Sequence, residues 1–173
     1  SDPQMLFLPN NISKMNRDTV LGSRIVEVHN GSSLFTGKAG QGPSNLRQYI
    51  LEQDLLEAIV AVPEKMFYNT GISTYIWVLA NKKEKRRKGK VQLIDATSFK
   101  KPLRKNLGEK NCEVDKTIRD HILELYMAFD QADERYSKVF ATYEFGYWEV
   151  PVYTPQYDEN GKPTGDWDHI LDS

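Results

Sequence analysis

The chain has 173 residues, 39% hydrophobic and 11% aromatic, enough for one packed core and too many for wholesale disorder. A single cysteine, Cys112, excludes an internal disulfide framework and any Cys-x-x-Cys metal site, and fits a reducing cytoplasm. The net charge of −1 hides a block pattern: 6 basic and 7 acidic side chains in residues 1–81, 12 and 3 in residues 82–110, 5 and 14 in residues 111–173. 

The opening SDPQMLFLPNNISKM reads as a helix capped at Asp2 with Pro3 in its first turn, and Pro9 should kink or interrupt it. SRIVEV (23–28) is a short strand followed by the polar turn HNGSS. The glycine-rich loop LFTGKAGQGPSN leads into a helix capped by Ser44 or Asn45 and running to about Gln53. LLEAIVAV (55–62), STYIWVLA (73–80) and KVQLIDA (90–96) are strands by length and Ile/Val content. NKKEKRRKG between the last two is a polar connection too short for a parallel crossover, so that pair should be antiparallel. TSFKKPLRKNLGEKN is basic and irregular. Asp115 then caps a helix whose apolar stripe is Ile118, Ile122, Leu125, Tyr126 and Phe129. Short extended pieces follow, and Asn160-Gly161 marks a hairpin tip. The order of elements is α/β, with a mixed sheet that is parallel early and ends in an antiparallel pair. No apolar run approaches the roughly 20 residues of a membrane span, and the start shows no secretory pattern, so a soluble cytoplasmic protein is the expectation.

The motifs name no catalytic group on their own. The loop TGKAGQGPSN has neither the Gly-Lys-Ser/Thr ending of a phosphate loop nor a GxGxxG turn between strand and helix, so a plain capped loop competes with an anion-facing one. His29, His121 and His169 are far apart and near no cysteine, and His121 reads as packed. Asp95 ends a strand, where an aspartate either acts or caps the next turn. The basic block Lys82, Lys83, Lys85, Arg86, Arg87, Lys88 offers candidate contacts to DNA phosphates or a charge balanced inside the fold. Phe67 and Tyr68, adjacent aromatics in PEKMFYNTGISTYIW, are either core or a stacking platform for a base.

Three stretches go further: RIVEVHNGSSLFTG, SNLRQYILEQDLLEAIVAVPEKMFYNTGISTYIWVLANKK and GKVQLIDATSFKKPLRKNLGEK. Over roughly residues 2–154 the chain resembles the modification (M) subunit of type I restriction-modification systems, which are S-adenosylmethionine-dependent N6-adenine DNA methyltransferases. The resemblance implies the late strands and helices of a Rossmann-like methyltransferase sheet in residues 1–110. A helical and irregular C-terminal extension would occupy residues 111–173. The family's cofactor glycine motif and its Asn-Pro-Pro-Phe/Tyr motif do not occur here. The resemblance therefore implies a C-terminal-side portion of the subunit, inactive alone and binding S-adenosylmethionine weakly.

Carried onto this sequence, the resemblance makes Phe67 and Tyr68 the candidates to stack on an extruded adenine, with Gly71 and Thr74 shaping the turn. It puts Asn30, Gly31 and Ser32 on the substrate side of the sheet. It implies DNA and the specificity (S) and restriction (R) subunits as partners. A dimer through an exposed sheet edge is a further expectation. The competing function is a non-catalytic DNA-binding or subunit-assembly module.

Overall fold

The structure is a computed structural model that describes residues 4–147 and 152–170. A five-stranded sheet of order β1-β3-β2-β4-β7 forms its centre, built from β1 (Arg24–Asn30), β2 (Leu56–Val62), β3 (Thr74–Ala80), β4 (Lys90–Asp95) and β7 (Ser137–Ala141). β2 and β4 pair in parallel; β1 with β3, β3 with β2 and β4 with β7 pair antiparallel. Two smaller hairpins are made by β5 (Lys101–Leu107) with β6 (Lys110–Glu113), and by β8 (Val152–Tyr157) with β9 (Pro163–Ile170). The second turns at Asn160-Gly161, as the sequence predicts.

The expected antiparallel pairing of residues 73–80 with 90–96 is corrected: β2 lies between β3 and β4. The physical reason is in β2 itself. LEAIVAV is buried or nearly so along its whole length, and such a strand belongs in the middle of a sheet with both faces covered. The connection from β3 to β4 therefore steps over one strand.

Two helices cover one face. α1 (Gln4–Ser13) contributes Leu8 and Ile12, and α2 (Gly42–Glu52) contributes Ile50, Leu46 and Leu51, all packed with Leu56, Trp77, Leu79 and Val91. The fully buried ones, Leu8 and Ile50 among them, each add about 1.5–3 kcal/mol of hydrophobic stabilisation, and the half-buried Ile12, Leu46 and Leu51 add less. Pro9 sits inside α1 without ending it, and the Asp2–Pro3 cap lies outside the described residues. α2 starts three or four residues earlier than expected, with Gln41 as cap and Pro43 in the first turn, where its locked φ suits a helix start.

α3 (Lys116–Ala128) covers the other face. The Asp115 carboxylate accepts from the Ile118 N–H at 3.1 Å, the expected cap. Leu125, Ile122 and Tyr126 of α3 pack on Val60, Val62 and Ile94. His121, expected to be packed, is half so: its ring lies 5.0 Å from that of Phe99, while about half of the side chain is exposed and Nδ1 is 3.6 Å from Glu124. The second face is uncovered over β1, where Val26 and Val28 are exposed.

Two boundaries move. The segment after β4, expected to be irregular, is the β5–β6 hairpin, since Gly108-Glu109 makes a two-residue turn with positive φ at its glycine. The division expected at residue 110 falls inside β6, and β7, from beyond it, joins the main sheet.

Candidate functional site

β1, β2 and β4 run in one direction, and the edge where they end collects Asn30, Val62 and Asp95 with the first residues of β3 and β7, Thr74 and Ser137. We call this the leading edge; it is the usual ligand side of an open α/β sheet. Asn30 leaves β1 and caps the 3-10 turn Gly31–Leu34 by accepting from the Ser32 N–H at 3.0 Å. The Gln4 amide at the start of α1 donates to Asn30 Oδ1 at 2.6 Å and accepts from the Asn30 N–H at 3.0 Å. Gln4 also donates to Ser32 Oγ at 3.2 Å. The polar groups of Asn30 and Ser32 are thus engaged in tying α1 to the end of β1.

Between β2 and β3 the chain makes a loop over residues 63–73. Pro63 is buried; Lys65 takes φ +57; Phe67 and Thr70 form a bridge that closes a turn with Tyr68 and Asn69 at its tip. Phe67 is 36% exposed and Tyr68 59%, so the loop turns an aromatic pair outward. Gly71 follows the turn with an ordinary φ and space around its Cα, so the turn-shaping role expected of it belongs to Tyr68-Asn69. Thr74 is the first residue of β3, buried, and pairs with both Val62 and Asn30.

The loop is held by the β5–β6 hairpin. The carbonyls of Tyr68, Lys65, Met66 and Glu64 accept from the Glu109 N–H (2.9 Å), the Asn111 N–H (3.1 Å), Lys110 Nζ (3.0 Å) and Cys112 Sγ (3.3 Å). Lys110 Nζ also lies 5.3 Å from the centre of the Tyr68 ring, within cation–π range. Gly108 comes so close that a Cβ there would stand 2.6 Å from the Tyr68 carbonyl oxygen. Behind the loop lies a polar recess of about 370 Å³ lined by Glu64, Ser73, Tyr75, Thr97 and Lys100, with Ser73 Oγ donating to Glu64 at 2.8 Å.

The basic block sits at the opposite, trailing edge, where β3 ends and β4 begins. One strand length, about 20 Å for seven residues, separates it from the aromatic loop. Two of its members are corrections. Arg87 is 1% exposed: it stacks on Tyr126 (4.2 Å) and Phe129 (4.3 Å), donates to Gln92 Oε1 at 3.0 Å, and faces the buried Glu57 at 3.7 Å. Burial pulls its pKa below the ordinary arginine value. Lys83, 7% exposed, donates to Asp54 and to the Lys90 carbonyl, and burial lowers its pKa despite the carboxylate. Neither side chain is offered to a phosphate. Lys82, Lys85, Arg86 and Lys88 are exposed, although Lys82 is bonded to the Thr19 carbonyl and Arg86 to the Met127 carbonyl.

Asp95 is a cap: its Oδ1 accepts from the Thr97 N–H (3.0 Å) and Oγ1 (2.6 Å), bonds that lower its pKa. His29 is buried against Trp77 with its Nε2 3.0 Å from Glu27. Among the described residues no group of His, Cys, Asp or Glu could hold a metal ion, and no helix is long and apolar enough to cross a membrane. Asn30 and Ser32 are committed to each other and to Gln4, while Gly40 stands in open space in the loop before α2 and Gly42 opens that helix. Sequence reasoning missed the leading-edge cations Lys100, Arg104, Lys105 and Lys110. The signal was present: Gly-Glu between LRKNL and KNCE is a hairpin turn.

A family profile for N-6 DNA methylases matches residues 12–159. The methylase subunit of the type I restriction enzyme MjaVII of Methanocaldococcus jannaschii is 38% identical over 96 residues, which is 53% of this chain and 16% of that protein. In fold, the chain is similar to the type I restriction-modification methyltransferase subunit from Streptococcus thermophilus (TM-score 0.68, 20% identity, 83% of this chain and 28% of that one). It is also similar to a modification subunit attributed to a type I restriction enzyme of Vibrio vulnificus YJ016 (TM-score 0.57, 17% identity, 92% and 30%). The chain thus spans less than a third of the length of these relatives. Its sheet is that of the late strands of a Rossmann-like methyltransferase, and the profile match covers most of its length: the chain belongs to the N-6 DNA methylase family.

Proposed function

We propose that the chain is one portion of the methylase subunit of a type I restriction-modification system, which moves a methyl group from S-adenosylmethionine to N6 of adenine in DNA. The observation that carries this reading is the outward aromatic pair, Phe67 and Tyr68, on a braced loop at the leading edge. An adenine must leave the helix before its amino group can be reached, at a cost of a few kcal/mol. Stacking on an aromatic returns about 1–3 kcal/mol per base. The bonds from the β5–β6 hairpin to the loop keep the ring in place before the base arrives, so ordering costs less at the moment of binding.

The cofactor cradle and the group that grips the adenine amine would come from other parts of the subunit, and a specificity subunit would choose the DNA site, with a restriction subunit completing the assembly. By itself this chain should neither methylate DNA nor bind S-adenosylmethionine at micromolar concentration, which calorimetry reads. The free side of β1, an end strand of the sheet, is where a further strand of the subunit would add. A homodimer through that edge is the competing use, and sedimentation of this chain separates the two.

The test uses the full-length subunit with its specificity partner and two duplexes, one with adenine at the target for labelling by tritiated S-adenosylmethionine and one with 2-aminopurine in its place for fluorescence. Label should appear as N6-methyladenine, and aminopurine fluorescence should rise on binding. The Phe67→Ala/Tyr68→Ala double variant should lose most of both signals while still assembling. If the double variant methylates at the normal rate, the aromatic pair is not the base platform.

A further inference from the structure

We infer that the β5–β6 hairpin is the part of this chain that grips the DNA backbone, through Arg104 and Lys105 with Lys100 at its base. The inference rests on the reading of residues 63–73 as the base-facing loop. Residues 100–110 hold five basic side chains and one acidic one. Lys101 is held near Glu113 (3.7 Å) and Asp115 (3.6 Å), and Lys110 is committed to the aromatic loop. Lys100, Arg104 and Lys105 are exposed and pair with no carboxylate among the described residues. Three cations without counter-ions, clustered on one projecting ribbon, are what an anionic polymer would neutralise.

The placement fits a DNA backbone in two ways. Lys105 and Arg104 lie two and three residues along β5 from Leu107, about 7–10 Å at strand rise, and Leu107 pairs with Lys110 at the turn docked on Tyr68. Phosphates recur every 3.4 Å or so along each strand of DNA, so a ring stacked on an extruded base would leave these cations within reach of the flanking phosphates. Arg104 and Lys105 also fall where the β5–β6 register slips, between Pro102 and Leu107, so both are exposed on the bulged strand of the ribbon. A two-stranded ribbon fits the major groove, whose two walls both carry phosphates. The block at residues 82–88 has neither advantage, because it stands at the far edge of the sheet and has two of its cations buried.

The experiment measures DNA affinity of the full-length methylase subunit against salt concentration on a short duplex. Each lost phosphate contact flattens the log–log slope by about 0.9. Arg104→Gln with Lys105→Gln should reduce the slope by about two, uniformly across DNA sequences. Arg104→Lys with Lys105→Arg should keep it, and Lys85→Gln, Arg86→Gln and Lys88→Gln together should leave it unchanged. A wild-type slope in the Arg104/Lys105 glutamine variant overturns the inference, as does loss of slope in the triple variant. If the wild-type subunit methylates adenine while the hairpin variant shows no change, only the hairpin assignment falls. If the wild-type subunit never extrudes or methylates adenine, the base-facing reading falls and takes the hairpin with it.

Discussion

Two segments of this chain are rich in lysine and arginine, and they do opposite things. Residues 82–90 fold inward at the trailing edge, where Arg87 meets Glu57 and Lys83 meets Asp54. Residues 100–110 project outward at the leading edge, beside the aromatic loop, with three cations that pair with no carboxylate among the described residues. The difference lies in carboxylates far away in sequence. Glu57 sits at a β-bulge in β2 and Asp54 in the turn before it, both aimed at the connection that crosses over β2. Asp54 also accepts from the Gly89 N–H at 2.9 Å, fixing both ends of that connection. Local charge density therefore says little about where a charge ends up; the partner carboxylate decides it.

The largest effect that would break this contrast belongs to Arg87. Arg87→Ala leaves Glu57, fully buried, with Arg24 as its remaining cation at 3.2 Å, and removes the stack on Tyr126 and Phe129. Losing one partner of a buried pair costs about 3–5 kcal/mol, mostly through the stranded charge. Urea unfolding should show that loss, and Arg87→Met combined with Glu57→Gln should recover a large part of it. If Arg87→Ala instead changes DNA affinity at constant stability, the inward assignment is wrong.

At the leading edge, Tyr68→Ala in the full-length subunit should lower the methylation rate about 5- to 150-fold, the equivalent of 1–3 kcal/mol of stacking. Phe67→Ala should cost less, because its ring is more buried and the bridge to Thr70 that closes the turn is made by its backbone, which alanine keeps. Equal or reversed losses would move the platform to Phe67. Gly108→Ala tests the brace itself. It puts a Cβ 2.6 Å from the Tyr68 carbonyl at a φ of +64, so about 1 kcal/mol of stability and part of the Tyr68 contribution to rate should go together. The salt slope of DNA binding should not move, since no charge has changed.

The strands were legible because Ile, Val and aromatic residues mark them directly: LLEAIVAV, STYIWVLA and KVQLIDA fall within one or two residues of β2, β3 and β4. So was α3, through the Asp115 cap and an apolar stripe of helical period. Strand order was not legible, because periodicity reports which side chains are buried and not which strand lies alongside. The aromatic loop could be placed after Pro63, but its brace could not: the docking groups are mostly backbone N–H and C=O, which every residue carries. Arg87 and Lys83 look like solvated cations in sequence, and only the bulge at Glu57 and the turn at Asp54 turn them inward.

The smallest effect sharpens the contrast most cleanly. Lys85 and Lys88 belong to the same run as Arg87 yet are exposed, and neither pairs with a carboxylate among the described residues. If the trailing edge is a structural connection, Lys85→Ala and Lys88→Ala should each shift stability by no more than about 0.5 kcal/mol, the range for exposed sites without special contacts. The steep step from that value to the Arg87 loss, across two residues, is the signature of one buried cation in a run of solvated ones. A large loss at Lys85 or Lys88, read by the same urea titration, would mean that the whole run is engaged. The trailing edge would then have to be treated as a second surface facing a partner.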